Sequence, residues 1–447
     1  MDPLTDGGAM KFHVETWGCQ MNVLDSQRMA GLLESRGLSS TEDPFDADVL
    51  LLNTCDVREK AEGKVYSELG RFAAWKREKA GRVIGVTGCV AQRAGLKILD
   101  RMPYVDFVLG TGNVEKVPEA IEEALRGRRG ALLDLDRDSP VYQFRSIARQ
   151  SPFQAFVTVI EGCDQFCTFC VVPFTRGRER SRRAAEIEAE CRELAGNGFT
   201  EITLLGQTVN AYSCPESGAD LADLLERLCG IDGVRRLRYI TSHPAFVTPG
   251  FADVLARHPK IGRYFHLPAQ SGSDRILSRM KRRYTAERYR EIVADVRARA
   301  GDVVFSSDFI VGFPGETEED FRRTLALVEE IRFGMLFAFL YSARPGTAAA
   351  RWGAESEVPE EVARERLGRL LDLQRRIQAE AHRELEGSVF DVLVEGASKI
   401  GSTLSGRTSC NRIVHFHPRP EHPVRPGEYV PVRIERGLEN SLAGSPA

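Results

Sequence analysis

The sequence predicts an α/β protein in three parts: an N-terminal parallel α/β domain over residues 10–130, a central partial (β/α)6 barrel of the TIM type over 149–383, and a small β-barrel over 384–447. Three observations carry this reading. Short apolar runs alternate with helix-period stretches up to about residue 130, the alternation resumes at greater length from Phe153, and the last segment turns to period-2 runs with Gly-rich turns. A length of 447 residues suits about three domains.

In the first part, residues 11–17 alternate apolar and polar, whereas 48–53 and 82–87 are continuous and apolar, as strands buried on both faces are; 105–109 is a fourth strand. Each of the first three runs ends almost at once in a cysteine: Gly18-Cys19, Thr54-Cys55 and Gly88-Cys89. Parallel sheets gather ligands at the carboxyl ends of their strands, so these distant cysteines can converge into a three-thiolate site. The plain alternative is three unrelated core cysteines, and zinc would need a fourth ligand that is not evident. Residues 131–150 read as a linker, with Asp134, Asp136 and Asp138 followed by Ser139-Pro140.

In the central part, strands are expected at 155–161, 201–207, 236–241, 264–267, 303–311 and 335–341. Their ends carry the words Leu204-Leu205-Gly206-Gln207, Ser242-His243-Pro244, Pro268-Ala269-Gln270-Ser271-Gly272-Ser273 and Gly312-Phe313-Pro314-Gly315-Glu316-Thr317. Function belongs at that face of such a barrel. After the first strand comes Gly162-Cys163-Asp164-Gln165-Phe166-Cys167-Thr168-Phe169-Cys170. With 10 Cys in the chain, this triple spacing arises by chance about 0.005 times, so it is a signal. The spacing also fits one face of a helix, but the flanking Gly162 and Pro173 favour a loop wrapped around a ligand. Three thiolates are one too few for a closed metal site and leave an open position.

An amphipathic helix over 359–386 leads into the period-2 runs 389–394 and 429–434 of the small barrel. A net charge of −3 and a pI near 6.3 do not announce a nucleic-acid binder, so RNA contact would need local patches such as the basic runs 176–183 and 279–283. Residues 1–9 read as a lead-in without signal-peptide character, and no apolar stretch approaches a membrane span. The chain is therefore expected to be cytoplasmic, where cysteines bind metal rather than pair as disulfides. His243 and His266 read as packing or hydrogen-bonding residues, and Cys191, Cys214, Cys229 and Cys410 as packing residues.

The Cys163, Cys167 and Cys170 run resembles the cluster motif of the radical S-adenosylmethionine (SAM) enzymes. Thr16-Trp17-Gly18-Cys19-Gln20-Met21-Asn22, Asn53-Thr54-Cys55-Asp56-Val57-Arg58-Glu59-Lys60-Ala61 and Gly88-Cys89 resemble their methylthiotransferase subfamily. Gly406-Arg407-Thr408 with the run 411–416 resembles the TRAM domain, an RNA-binding module. The likeness covers residues 10–436, and Val172-Pro173-Phe174-Thr175-Arg176-Gly177-Arg178-Glu179 is similar to the branch acting on dimethylallylated tRNA. Other branches modify threonylcarbamoyladenosine or a ribosomal-protein aspartate. Departures are Thr208 after Gln207, Ser342-Ala343-Arg344, Ala269 and Cys410; none removes a thiolate.

The resemblance implies a catalytic 4Fe-4S cluster on Cys163, Cys167 and Cys170, whose open iron binds SAM, and an auxiliary 4Fe-4S cluster on Cys19, Cys55 and Cys89 that carries the sulfur. It places SAM against Phe169, Gly206, Gln207, Ser242, Gln270 and Gly312, and tRNA phosphates against Lys399, Arg407 and Arg412. The implied reaction uses two SAM, one as methyl donor and one as source of a 5′-deoxyadenosyl radical, to methylthiolate C2 of N6-dimethylallyladenosine at position 37 of tRNA. That C–H bond is beyond any side-chain base, so a radical is a chemical need. A reductant such as flavodoxin or ferredoxin and a monomeric state complete the expectation. An electron-transfer protein would not need the barrel-end words, and a pure RNA-binding module would not need six ordered cysteines.

Overall fold

Strand-forming runs in the first part of the chain are short and apolar, and they pair side by side. In the computed structural model, which describes residues 10–56, 61–135, 147–398, 401, 403–419 and 423–447, the chain divides into two units. One comprises Met1–Gln150, Glu161–Phe166 and Cys170–Arg180, the other Ser151–Ile160, Cys167–Phe169 and Ser181–Ala447.

The first unit holds β1 (Lys11–Trp17), β2 (Ser39–Ser40), β3 (Val49–Thr54), β4 (Val83–Thr87), β5 (Phe107–Leu109) and β6 (Gly130–Leu132) in one parallel sheet of order β2-β1-β3-β4-β5-β6. Every residue of β3 and β4 is buried, as the continuous apolar runs require. Two hydrophobic clusters cover the two faces: Leu50, Leu52, Phe72, Trp75, Ile84 and Val86 on one, Phe12, Met29, Leu33, Val49, Leu51 and Phe107 on the other. The segment read as a linker from residue 131 begins instead as β6, which pairs with β5. Three residues are too few to show a period against the acidic run behind them.

The second unit contains β7 (Gln154–Thr158), then the two-residue strands β8 (Ile160–Glu161) and β9 (Arg180–Ser181) at its boundary with the first, and β10 (Glu201–Leu205), β11 (Arg236–Ile240), β12 (Tyr264–His266), β13 (Val304–Val311) and β14 (Met335–Leu340). Parallel sheets β11-β10-β7 and β12-β13-β14 meet through the parallel bridge Leu237–Ile261. This is the expected six-stranded partial barrel. Helices such as Ala184–Gly196, Leu221–Cys229 and Ala286–Ala300 cover it, with Ile187, Leu224, Leu225, Tyr289 and Val293 in the shared core.

Helix Glu360–Arg383 leads to β15 (Val389–Ala397), β16 (Leu404–Arg407), β17 (Ile413–Phe416), β18 (Tyr429–Gly437) and β19 (Leu442–Pro446), a closed barrel of order β15-β16-β17-β19-β18 around Val392, Val394, Val414, Phe416, Val432, Ile434 and Leu442. An ion cluster ties it to the N-terminal ends of β10 and β11. Glu201 accepts from Arg238 Nε at 2.9 Å and Arg236 Nη1 at 3.3 Å, and the two guanidinium groups donate onward to the carbonyls of Asp391, Arg407, Thr408 and Ser409. Burial opposes ionisation of Glu201, yet Arg238 and Arg236 hold its carboxyl below the ordinary value. Glu201→Ala leaves two buried cations without their anion and is expected to cost about 3–5 kcal/mol in urea unfolding. Glu201→Gln, which keeps an acceptor, is expected to cost less.

Candidate functional site

In the first unit the strand order reverses between β1 and β3, the place where an open parallel sheet leaves a crevice at its carboxyl edge. Cys19 caps helix Gln20–Ser35 directly after β1, Cys55 follows β3, and Cys89 lies in the first turn of helix Gly88–Ala94 after β4. Gly88 makes that last turn possible. It has φ +89°, and a Cβ there would lie 2.5 Å from the Thr54 carbonyl oxygen. Asn22 and Asn53 hold the cysteine-bearing ends together: Asn22 Nδ2 donates to Asn53 Oδ1 at 3.1 Å, and Asn53 Nδ2 donates to Asn22 O and Ser26 Oγ at 2.8 Å each. Cys19 Sγ donates to Asn22 Oδ1 at 3.4 Å.

The three thiols form one hydrogen-bonded set centred on Cys55. Its hydrogen bond lowers Cys19 to about 6 and Cys89 to about 7, while those same contacts push Cys55 up. Cys55 and Cys89 are buried; Cys19 is open to solvent although crowded by protein atoms. The buried Arg176 contributes positive charge to Cys19 and Cys89 and pairs with Asp25 at 2.7 Å. Burial works against this guanidinium, but Asp25 and the two thiols outweigh it and keep it charged. Asp56, next to Cys55, is buried against Arg93, whose Nη2 lies 3.1 Å from Asp56 Oδ1.

The second cysteine run spans both units, and each part is fixed by its own neighbours. In the first, Gly162 has φ +77° and a Cβ there would strike the Arg178 carbonyl; Cys163 N–H donates to Gly177 O at 3.1 Å. Asp164 pairs with Arg178 at 2.6 Å, and its N–H donates to Glu179 at 2.9 Å. In the second, Cys167 Sγ accepts from Arg282 Nη1 at 3.5 Å, and Arg282 Nη2 donates to Pro268 O at 3.0 Å. Thr168 is pinned by bonds to the Met280 and Arg279 carbonyls at 3.1 and 2.9 Å. Cys163 and Cys167 are buried and Cys170 partly so. Among the described residues no group of three or more His, Cys, Asp or Glu is placed to hold a single metal ion. All-thiol donor sets without carboxylate or imidazole suit iron-sulfur clusters, and the hydrogen-bonded Cys19, Cys55 and Cys89 set fits that chemistry.

The other barrel residues singled out in the sequence stand at strand ends. Gly206 follows β10 against Ile160, Ser242 follows β11, and Gly312 follows β13, its N–H donating to Glu316 Oε2 at 2.8 Å. Gln270 has φ +67° and bridges to Phe309. Phe169 packs edge-on to Phe313 at 6.2 Å. Ser242 Oγ is buried with no hydrogen-bond partner, the state of a group that awaits a ligand. Gln207 follows Gly206 at the same edge. His243 is held neutral, its pKa pushed down to about 2 by burial and by Arg282 and Arg283, so its ring is uncharged at neutral pH. His266 hydrogen-bonds Ser306 Oγ at 2.9 Å and sits 3.5 Å from Asp308.

The basic run 176–183 needs correcting as an RNA surface. Arg176 and Arg182 are buried, Arg182 on Glu190 at 2.7 Å, while Arg178, Arg180 and Arg183 pair with Asp164, Glu161 and Glu216. In the second run Arg282 is half-buried and turned onto Cys167 and the Pro268 carbonyl, while Lys281 and Arg283 stay exposed. Arginines interleaved with turns around a cluster loop read as a patch in sequence because their partners lie far off. In the C-terminal barrel Arg407 is half-buried beside Glu395 at 3.1 Å, and Arg412 Nη1 lies 3.9 Å from Cys410 Sγ; Lys399 lies outside the described residues, as do 57–60 and most of the acidic linker. Arg176, Arg282, Asn22 and Asn53 are residues that sequence reasoning did not place at the cysteine sites. The two asparagines stand inside the cysteine words and the two arginines inside the basic runs, but nothing local tied any of them to a cysteine.

Comparison with known proteins follows the same division. Residues 11–110 match the family model described as Uncharacterized protein family UPF0004, residues 157–328 the Radical SAM superfamily, and residues 383–447 the TRAM domain. Similar relatives include tRNA-2-methylthio-N(6)-dimethylallyladenosine synthases of Geobacter metallireducens (46% identical, 98% of each chain), Stutzerimonas stutzeri (46%, 97% of this chain and 99% of the relative) and Haemophilus influenzae (45%, 97% and 92%). Among solved structures, the radical S-adenosylmethionine methyltransferase TsrM from Kitasatospora setae, with tryptophan substrate and a SAM analogue bound, has a TM-score of 0.57 at 15% identity, covering 76% of this chain and 75% of that one. At that identity the likeness speaks for the fold.

Proposed function

Because the chain belongs to the radical SAM tRNA-2-methylthio-N6-dimethylallyladenosine synthase family, we propose that it replaces the hydrogen on C2 of N6-dimethylallyladenosine at position 37 of tRNA with a methylthio group. The observation that carries this reading is the meeting of Cys19, Cys55 and Cys89 at three adjacent strand ends, in a chain that also contains a radical SAM barrel and a TRAM domain. Two 4Fe-4S clusters and SAM supply, when bound, the one-electron cleavage chemistry, the sulfur and the methyl group that no side chain can provide.

What the protein contributes is placement. Cys163, Cys167 and Cys170 would hold one cluster, and the half-buried Arg282 donates to the Cys167 sulfur. Cys19, Cys55 and Cys89 hold the other; Arg176 offsets the negative charge that thiolates accumulate there, and the Asn22–Asn53 pair ties the helix that Cys19 caps to the end of β3. Phe169, Gly206, Gln207, Ser242, Gln270 and Gly312 bind SAM, the Ser242 hydroxyl gaining the partner that it lacks among protein atoms. Arg407, Arg412 and Lys399 position the tRNA through its phosphates, and the target base leaves the anticodon-loop stack to reach the barrel.

A small reductant of the flavodoxin or ferredoxin kind delivers electrons to a monomeric, cytoplasmic enzyme; among the described residues no helix is long and apolar enough to cross a membrane. Nucleoside mass spectrometry of tRNA from a strain lacking this protein tests the reading. The expected result is loss of the methylthio nucleoside with accumulation of dimethylallyladenosine, restored by the wild-type gene. An unchanged nucleoside profile would point instead to a protein substrate.

A further inference from the structure

The interior of the half-barrel carries a feature that neither cluster nor SAM assignment uses. On β14, Leu336 and Ala338 pack into the core shared with the covering helices, so the alternate positions Phe337 and Phe339 face the other way, into the lumen. Both rings are exposed, at 43% and 46%. Among the described residues no other strand exposes two large hydrophobic side chains. A polar pair lies beside them. The His266 ring is 6.1 Å from that of Phe337 in edge-on geometry, bonded to Ser306 Oγ on one side and 3.5 Å from Asp308 on the other. Asp308 stands opposite Phe337 in the β13–β14 register, and Ile310 opposite Phe339.

We propose that Phe337 and Phe339 form the platform on which the unstacked adenine and its dimethylallyl group lie, with the His266–Asp308 pair at the polar edge of the base. This rests on the substrate reading given above. Rings two residues apart on one strand face are separated by roughly 6.6 Å, the spacing needed to carry a base on one and a branched five-carbon group on the next. Aromatic faces accept any base by stacking, and the apolar chain explains why such area stays uncovered. The platform is continuous with the SAM-assigned edge: Gly312 follows Val311, the last residue of β13 and the partner of Leu340, and Gln270 bridges to Phe309. Beyond β13, β14 pairs with no further strand among the described residues, so the ring of strands is open at that edge.

The test uses the full-length, anaerobically reconstituted enzyme and two anticodon stem–loop RNAs that differ only by the dimethylallyl group on A37. Wild type is expected to prefer the dimethylallylated loop. Phe337→Ala with Phe339→Ala is expected to weaken binding of that loop about 5- to 150-fold, as loss of base stacking does, and to shrink the preference, with iron content and SAM binding unchanged. Phe337→Leu with Phe339→Leu keeps most of the apolar volume, guards against misfolding, and is expected to fall between wild type and the alanine variant. Undiminished preference in both variants overturns the platform, as does loss of SAM binding with the RNA preference intact. Failure of wild type to prefer or methylthiolate the dimethylallylated loop sinks the substrate reading itself, and the platform with it.

Discussion

Replacing Cys163, Cys167 and Cys170 together by alanine is expected to lower the iron of the reconstituted protein from about eight to about four per chain and to abolish 5′-deoxyadenosine formation. The loop is fixed by its own backbone and side-chain bonds, Cys163 N–H to Gly177 O in the first unit and Thr168 to Met280 O and Arg279 O in the second. Loss of the sulfurs should therefore leave those elements in place. Iron and sulfide analysis with Mössbauer spectra checks the result. A fall from four to none would mean that Cys19, Cys55 and Cys89 bind no cluster, and the sulfur-insertion half of the reading would be lost.

The mirror experiment, Cys19→Ala, Cys55→Ala and Cys89→Ala, separates the two halves of the chemistry. About four irons and reductive SAM cleavage are expected to survive, while no methylthio product forms. Cys55 is the position where a single substitution should come closest to the triple effect, because its thiol links the other two and is buried between them. Thermal unfolding of the variant guards the conclusion. Its strands end in bonds that do not involve sulfur, such as the Asn22–Asn53 pair, so the apo fold should persist.

These expectations were within reach of the sequence because the cysteines stand at the ends of unusually clear strands. The centres of the runs 48–53 and 82–87, residues 49–52 and 83–86, carry no polar side chain, and in a parallel sheet that pattern already locates the carboxyl edge. Strand order was not legible, so the convergence of Cys19 with Cys55 across the switch between β1 and β3 had to come from the structure. Nor was the fate of the arginines. Arg176 finds Asp25 at 151 positions' remove, and Arg236 with Arg238 find Glu201 and the carbonyls of the last barrel; local charge counting sees only a basic run. The lumen platform needed register too, since Phe337 and His266 become neighbours only when β13 lies between their strands. β6 was hidden by its length, and its pairing replaces what looked like the start of a linker.

The most direct measurement incubates the reconstituted enzyme with SAM, reductant and a dimethylallylated anticodon stem–loop carrying deuterium at C2 of A37, then analyses nucleosides and 5′-deoxyadenosine by mass spectrometry. The expected outcome is a nucleoside with SCH3 in place of the C2 deuterium and deuterium recovered in 5′-deoxyadenosine. Deuterium retained on the base, with 5′-deoxyadenosine formed but no methylthio nucleoside, would contradict C2 of this adenine as the site of reaction.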